Sequence, residues 1–260
     1  MHGTEALTVA PGPAPRPELR STALFFDVDG TLLELQRRPD DVLADAPLRD
    51  MIVRLQSMNS GAVALVSGRA IRDLDRIFAP LILPAAGLHG AELRFPDGSR
   101  VGSASALMDH ARPDVGRFVA EHAGLMLEDK GATLAVHFRE RPDLAADVLR
   151  FMTRFGPGDE IAVQEGKFVV ELKPVLFDKG TAIATMLEHA PFLGRTPVFY
   201  GDDLTDEAGF GYVNKVGGLS VRIGDRDIPT EARLNLPNPA ALREHLMELT
   251  RASSGEHGPS

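Results

Sequence analysis

The sequence predicts an α/β protein, a parallel sheet wrapped by helices with a smaller α+β module inserted into it. Three features carry this. Short apolar runs alternate with segments of helical periodicity toward both ends of the chain, the pattern of parallel strands joined by right-handed crossovers. Several of those runs stop abruptly at polar, chemistry-bearing residues, as strands do where an open sheet carries its ligands. Between Leu81 and about Pro174 the order changes to helix, two strands, helix, two strands.

Composition removes several function classes. With 260 residues, 43% of them hydrophobic, the chain can form one large domain or two modest ones around a substantial core. A formal charge of −9 argues against a general nucleic-acid binder, which needs a basic face, and leaves room for a local pocket that takes a phosphorylated small molecule. There is no cysteine, which removes a disulfide framework, a thiol nucleophile and Cys-ligated zinc, and fits a cytoplasmic protein. No run approaches the roughly 18 apolar residues of a membrane span, and the start lacks the apolar stretch of a signal peptide. Pro11, Pro13, Pro15 and Pro17 fall at alternate positions, so residues 1–20 read as a disordered leader. Residues 252–260 are small and polar and read as a flexible tail. The sequence carries no signal for an oligomeric state.

In order, the first strand is the apolar run Ala23–Phe26, which ends in Asp27-Val28-Asp29-Gly30-Thr31. Asp45 and Pro47 open a helix whose Leu48, Met51, Ile52 and Leu55 recur at helical spacing to about Met58. A second strand, Ala62–Val66, ends in Ser67-Gly68-Arg69, and Ile71, Leu74, Ile77 and Phe78 make the next helix. The inserted module starts near residue 91. It holds a turn at Pro96-Asp97-Gly98, a helix at about Val115–His122, extended runs Leu125–Glu128 and Thr133–Arg139, a helix from Pro142, and a hairpin around Glu165-Gly166-Lys167. The core resumes with a helix headed by Asp178-Lys179-Gly180. A third strand, Pro197–Tyr200, then runs into Gly201-Asp202-Asp203-Leu204-Thr205-Asp206-Glu207. A strand at Leu219–Ile223 and a helix capped by Asn238 and Pro239 close the chain. The expected division is core at 21–90 and 174–251, cap at 91–173.

The candidate chemistry lies at the strand ends. In extended chain Asp27 and Asp29 point the same way, and two carboxylates that close need a cation beside them to ionise together. Asp202 makes a third carboxylate, and an all-oxygen set suits Mg²⁺, which normally binds with phosphate substrates. Asp203 and Asp206 read as supports for that site, and Asp206 equally as a helix cap. Ser67 offers a hydroxyl to a phosphoryl oxygen or caps the following helix. Arg69 either holds phosphate or pairs on the surface. Lys179 can steady both a nucleophile and a phosphoryl oxygen. Together these give phosphoryl transfer through an aspartyl-phosphate: Asp27 attacks, while Asp29 protonates the departing oxygen and then activates water.

Those four pieces, in that order, resemble the haloacid dehalogenase superfamily of phosphatases. The resemblance implies a Rossmann-like core with a C2-type cap, magnesium, and a metal site of Asp27, Asp202 and the backbone carbonyl of Asp29. It also implies a phosphate cradle of Ser67, Gly68 and Arg69. Gly87-Leu88-His89-Gly90-Ala91-Glu92, His137-Phe138-Arg139, Glu165-Gly166-Lys167 and Glu171-Leu172-Lys173-Pro174 are further similar to the trehalose-6-phosphate phosphatase family. That likeness implies a sugar phosphate as the partner, with Lys167 and Glu171 on sugar hydroxyls and His89, Glu92 and Arg139 as additional contacts. Phe138 stands where that family more often has tyrosine. The alternatives are a phosphatase for sucrose phosphate or a mannosyl phosphate, and a non-catalytic sugar-sensing subunit of the same fold.

Overall fold

Strand β1 (Thr22–Phe26) is apolar along its length because both of its faces are covered. Leu24 and Phe26 point into one cluster, Ala23 and Phe25 into another on the opposite side of the sheet. A strand buried on both faces loses the polar alternation of a half-exposed one, hence the continuous apolar run. This is a computed structural model, and it describes residues 18–35, 42–102, 106–156, 160–175, 177–225 and 228–253.

Helices α1 (Ala46–Met58), α2 (Ile71–Phe78) and α8 (Pro239–Ser253) cover the Leu24/Phe26 face, and α6 (Lys179–Leu187) and α7 (Glu207–Lys215) cover the other. Capping starts α1 and α8 as the sequence suggests: Asp45 accepts the Leu48 amide at 2.9 Å and Asn238 the Ala241 amide at 2.9 Å.

Around β1 lie β2 (Val63–Val66), β3 (Ala85–Gly87), β10 (Thr196–Gly201), β11 (Leu219–Ile223) and β12 (Leu234–Leu236), all parallel. Two antiparallel strands, β4 (Glu92–Arg94) and β5 (Arg100–Gly102), extend the same sheet beyond β3, giving the order β12-β11-β10-β1-β2-β3-β4-β5. This corrects the expected start of the insert at residue 91: the hairpin around Pro96-Asp97-Gly98 is core sheet, and the inserted layer follows Gly102.

The insert contains α3 (Ala106–Asp109), α4 (Arg112–Glu121), β6 (Met126–Asp129), β7 (Leu134–His137), α5 (Ala145–Thr153), β8 (Ile161–Gly166) and β9 (Val169–Pro174). Its strands form a separate antiparallel sheet in the order β6-β7-β9-β8. One face of that sheet buries Leu134, Val136, Val170 and Leu172 against Val115, Val148 and Met152 of the helices. The strand period of two therefore turns Glu128, Ala135, Glu171 and Gln164 to the other face. At the chain start, the leader expected over 1–20 falls mostly outside the described residues. Leu19–Ser21 already forms a helical turn, with Leu19 buried. The expected tail lies outside them from residue 254 on.

Candidate active site

The ends of β1, β2, β3 and β10 and the first residue of α6 meet at a cavity of about 650 Å³. The Asp27 amide still donates to the Tyr200 carbonyl at 2.9 Å, so the parallel ladder runs one residue past β1. Asp27 therefore points as Phe25 does, toward the face on which α6 packs. Asp178 fixes where α6 begins, accepting the Thr181 amide at 2.7 Å. Lys179 is thereby delivered to Asp27: its Nζ lies 2.9 Å from Asp27 Oδ1 and 2.7 Å from Asp206 Oδ1. The lysine is only 2% exposed. A cation so buried is tolerable only among several acids.

Charges here are strongly interdependent. Burial opposes the Lys179 charge, but Asp206 and then Asp27 outweigh it and hold the ammonium above the ordinary lysine range. Burial is the largest cause raising Asp27 well above the usual carboxylate range; Lys179 opposes it, and Asp206 and Asp202 reinforce it. Burial, followed by Asp206 and Asp203, pushes Asp202 up to about 6. Carboxylates crowded in this way ionise together once a cation joins them.

The donor set fits a hard cation. Asp27, Asp202 and Asp206 each offer a carboxylate oxygen within 4.8 Å of the others. Asp206 is already engaged, Oδ1 by Lys179 and Oδ2 by the amides of Asp202 at 2.9 Å and Asp203 at 3.0 Å. It thus braces the loop after β10, while Asp203 caps the next turn by accepting the Thr205 amide at 2.8 Å. Asp27 and Asp202 keep oxygens to give. Asp202 Oδ1 accepts the Thr31 hydroxyl at 3.1 Å. Gly30 has φ +79° and sits where a Cβ would run into the Asp202 carboxylate, so glycine serves both the turn and the close approach.

Asp29 lines the same cavity, but its carboxylate has a different partner. Arg69 binds it through both oxygens, Nε to Oδ2 at 2.6 Å and Nη2 to Oδ1 at 2.7 Å. The side chain of Asp29 is not in the three-carboxylate cluster. Of the two readings of Arg69, pairing is what the structure shows, and the pair lies at the cavity rather than on the open surface. Ser67 is buried at the cavity wall, its Oγ accepting the Arg69 amide at 3.2 Å. His89 packs on Gly68 so closely that a Cβ there would lie 2.8 Å from the ring. Its backbone is left-handed, at φ +57°. Burial, followed by Lys179, lowers its pKa to about 4, so the imidazole is neutral.

Across the cavity stand Glu128, Lys130 and Gln164 of the inserted sheet. Strand pairing sets Glu128 opposite Ala135, Ala135 opposite Glu171, and Glu171 opposite Gln164, one polar row across four strands. Of the expected sugar contacts, His89 lines the cavity and Glu171 belongs to this row. Glu92 does not line it: its Oε2 accepts the Ile71 amide at 2.8 Å beside a second cavity of about 320 Å³. Arg139 and Lys167 are exposed in turns at strand ends, outside the cavity. Glu128, Lys130 and Gln164 went unrecognised in the sequence. Their signal was the alternation Glu128–Lys130 along β6, which any solvated strand face also shows.

A family model described as trehalose-phosphatase matches residues 25–239. A probable trehalose-phosphate phosphatase of Sinorhizobium fredii (strain NBRC 101917 / NGR234) is 43% identical over 230 residues, covering 87% of this chain and 86% of that protein. The trehalose-6-phosphate phosphatase of Escherichia coli (strain K12) is 42% identical over 214 residues, covering 80% of each. In fold, the chain is similar to the C-terminal domain of Candida albicans trehalose-6-phosphate phosphatase, with TM-score 0.77 at 21% identity over 90% of this chain and 93% of that one. A haloacid dehalogenase-like hydrolase from Bacteroides thetaiotaomicron is similar too, with TM-score 0.67 at 16% identity over 87% of this chain and 98% of that one.

Proposed function

The chain belongs to the trehalose-phosphatase family and is a phosphomonoester hydrolase, and from that premise we propose that it hydrolyses trehalose 6-phosphate through an aspartyl-phosphate on Asp27. The observation that carries this is the meeting of Asp27, Lys179 and Asp202 in one cavity, with Asp206 buried behind Lys179 and Glu128 and Gln164 facing them. The buried charges suit a phosphoryl group, and the facing row suits a neutral, hydroxyl-rich leaving group.

Asp27 attacks phosphorus as the ester P–O bond breaks; Asp29, released when the substrate phosphate draws Arg69 away and then protonated from solvent, gives that proton to the departing sugar oxygen. Asp29 then takes a proton from the water that attacks the acyl phosphate, releasing phosphate and restoring Asp27. Lys179 offsets negative charge at the nucleophile throughout. Ser67 and the backbone at Gly68 cradle phosphoryl oxygens. Asp27, Asp202 and the backbone of Asp29 would hold Mg²⁺, which supplies charge neutralisation of nucleophile and phosphoryl group. Glu128, Lys130 and Glu171 receive the sugar, with His89 at its edge. Arg139 and Lys167 reach it when the cap closes, which also excludes water from the first step.

A phosphate-release panel tests the substrate. Trehalose 6-phosphate is expected to exceed sucrose phosphate and mannosyl phosphates in kcat/KM by at least about tenfold, the discrimination that a few buried hydroxyl contacts provide. Equal rates on all three would overturn the assignment.

A further inference from the structure

The acidic row on the inserted sheet is held from its middle strand. Thr133 and His137 flank Ala135 at alternate positions, so all three lie on the face toward the cavity. Strand β7 runs between β6 and β9, and Thr133, just before it, and His137, at its end, reach opposite ways. The Thr133 hydroxyl donates to Glu171 Oε1 at 2.7 Å, on β9. The His137 Nε2 lies 2.9 Å from Glu128 Oε2, on β6. Lys130 joins the two, its Nζ 3.4 Å from that oxygen of Glu171 and 3.8 Å from that oxygen of Glu128. Each carboxylate is thus fastened through one oxygen. Among the described residues, nothing else bonds the second oxygen of either.

We propose that Thr133 and His137 are positioning residues for sugar recognition. Each clamps one oxygen of Glu171 or Glu128, so that the other meets a sugar hydroxyl in a fixed direction. This rests on the reading that the inserted sheet receives the sugar. A glutamate on a strand face has three rotatable bonds, and freezing them before the ligand arrives removes part of the ordering cost of binding. Ala135, between the clamps, adds no bulk to the row. A clamp of this kind acts on sugar affinity and leaves the phosphoryl chemistry alone.

The test compares steady-state kinetics on trehalose 6-phosphate with those on p-nitrophenyl phosphate, whose leaving group has no hydroxyl for the row. Thr133→Val and His137→Leu remove the donors while keeping the space filled. Each is expected to raise KM for the sugar phosphate about five- to tenfold, the effect of one lost hydrogen bond. Values of kcat, and both constants for p-nitrophenyl phosphate, stay unchanged. Thr133→Ser and His137→Gln, which keep a donor, recover most of the sugar affinity. If His137→Leu loses turnover of p-nitrophenyl phosphate, and so has disturbed the fold, His137→Asn replaces it, since its amide is too short to reach Glu128. Equal losses on the two substrates in the variants that keep a folded core would mean a structural role and overturn the proposal. So would an unchanged sugar KM in T133V and H137L when Glu128→Gln and Glu171→Gln raise it. If E128Q and E171Q themselves leave the sugar KM unchanged, the underlying placement of the sugar fails instead.

Discussion

The two walls of the cavity use charge in opposite ways. On the core wall, Lys179, Asp27 and Asp206 are almost wholly buried and bonded to one another. On the inserted wall, Glu128 is 46% exposed and is joined to its neighbours through one oxygen. Buried charges cannot rearrange cheaply, which suits a group that must be stabilised identically in every turnover. Carboxylates bonded through one oxygen, Glu128 half-exposed and Glu171 buried, keep the other oxygen to offer, which suits recognition of a ligand that arrives and leaves. On the proposed function, chemistry and selectivity are separated in space, and substitutions on the two walls should differ in kind as well as in size.

The largest effect belongs to Asp27, the proposed nucleophile. Asp27→Asn keeps the shape of the side chain and its place beside Lys179 but removes the attacking oxygen. Turnover should fall by on the order of 10⁴- to 10⁶-fold, the scale seen when a covalent catalyst is deleted, with near-native circular dichroism. Residual turnover within about tenfold of the native rate would remove Asp27 from that role. Next comes Lys179→Met, which leaves Asp27 and Asp206 buried without their cation. A loss of about 3–5 kcal/mol in unfolding free energy is expected from urea titration at neutral pH. The matched change on the other wall, Lys130→Met, should cost no more than about 1 kcal/mol, as its partners Glu128 and Glu171 retain His137 and Thr133. Similar losses for the two would erase the distinction between the walls.

The same contrast explains what could be read from the chain. Asp27, Ser67, Lys179 and Asp202 were legible because each stands where an apolar run or a helix changes character. Capping accounts for any one such carboxylate or hydroxyl, but not for four chemistry-bearing residues that all fall at such junctions. The crossing β-strands were legible for a related reason, since burial on both faces leaves an unbroken apolar run. Glu128 and Gln164 were not legible. Each is one polar residue in an alternating strand, and only the pairing Glu128–Ala135–Glu171–Gln164 makes them a group. Register of that kind is a property of four segments spread over some fifty residues, and no local pattern encodes it. The hairpin β4–β5 was misassigned on similar grounds, because Pro96-Asp97-Gly98 announces a turn without saying which sheet its strands join. Glu92, expected at the sugar, instead anchors the start of α2 through the Ile71 amide.

His89 stands at the seam between the walls, and its effect appears only as pH changes. After burial, the charges acting on it come from Lys179 on one side and from Glu171, Lys173 and Lys130 on the other. Its pKa falls from 6.5 to about 4 on folding. Between those values the unfolded chain holds more protons at this position than the folded one, so stability rises with pH across the window. The contribution is complete above about 6.5 and lost as pH falls toward 4, amounting to at most about 3 kcal/mol. Asparagine tolerates the left-handed backbone at this position better than most residues, so His89→Asn should fold and lack that titration. The native protein's urea midpoint, measured relative to that of His89→Asn, should therefore rise steadily from pH 4 to pH 7. Parallel curves would mean that His89 titrates alike folded and unfolded, and that the seam is open to water rather than closed by both walls.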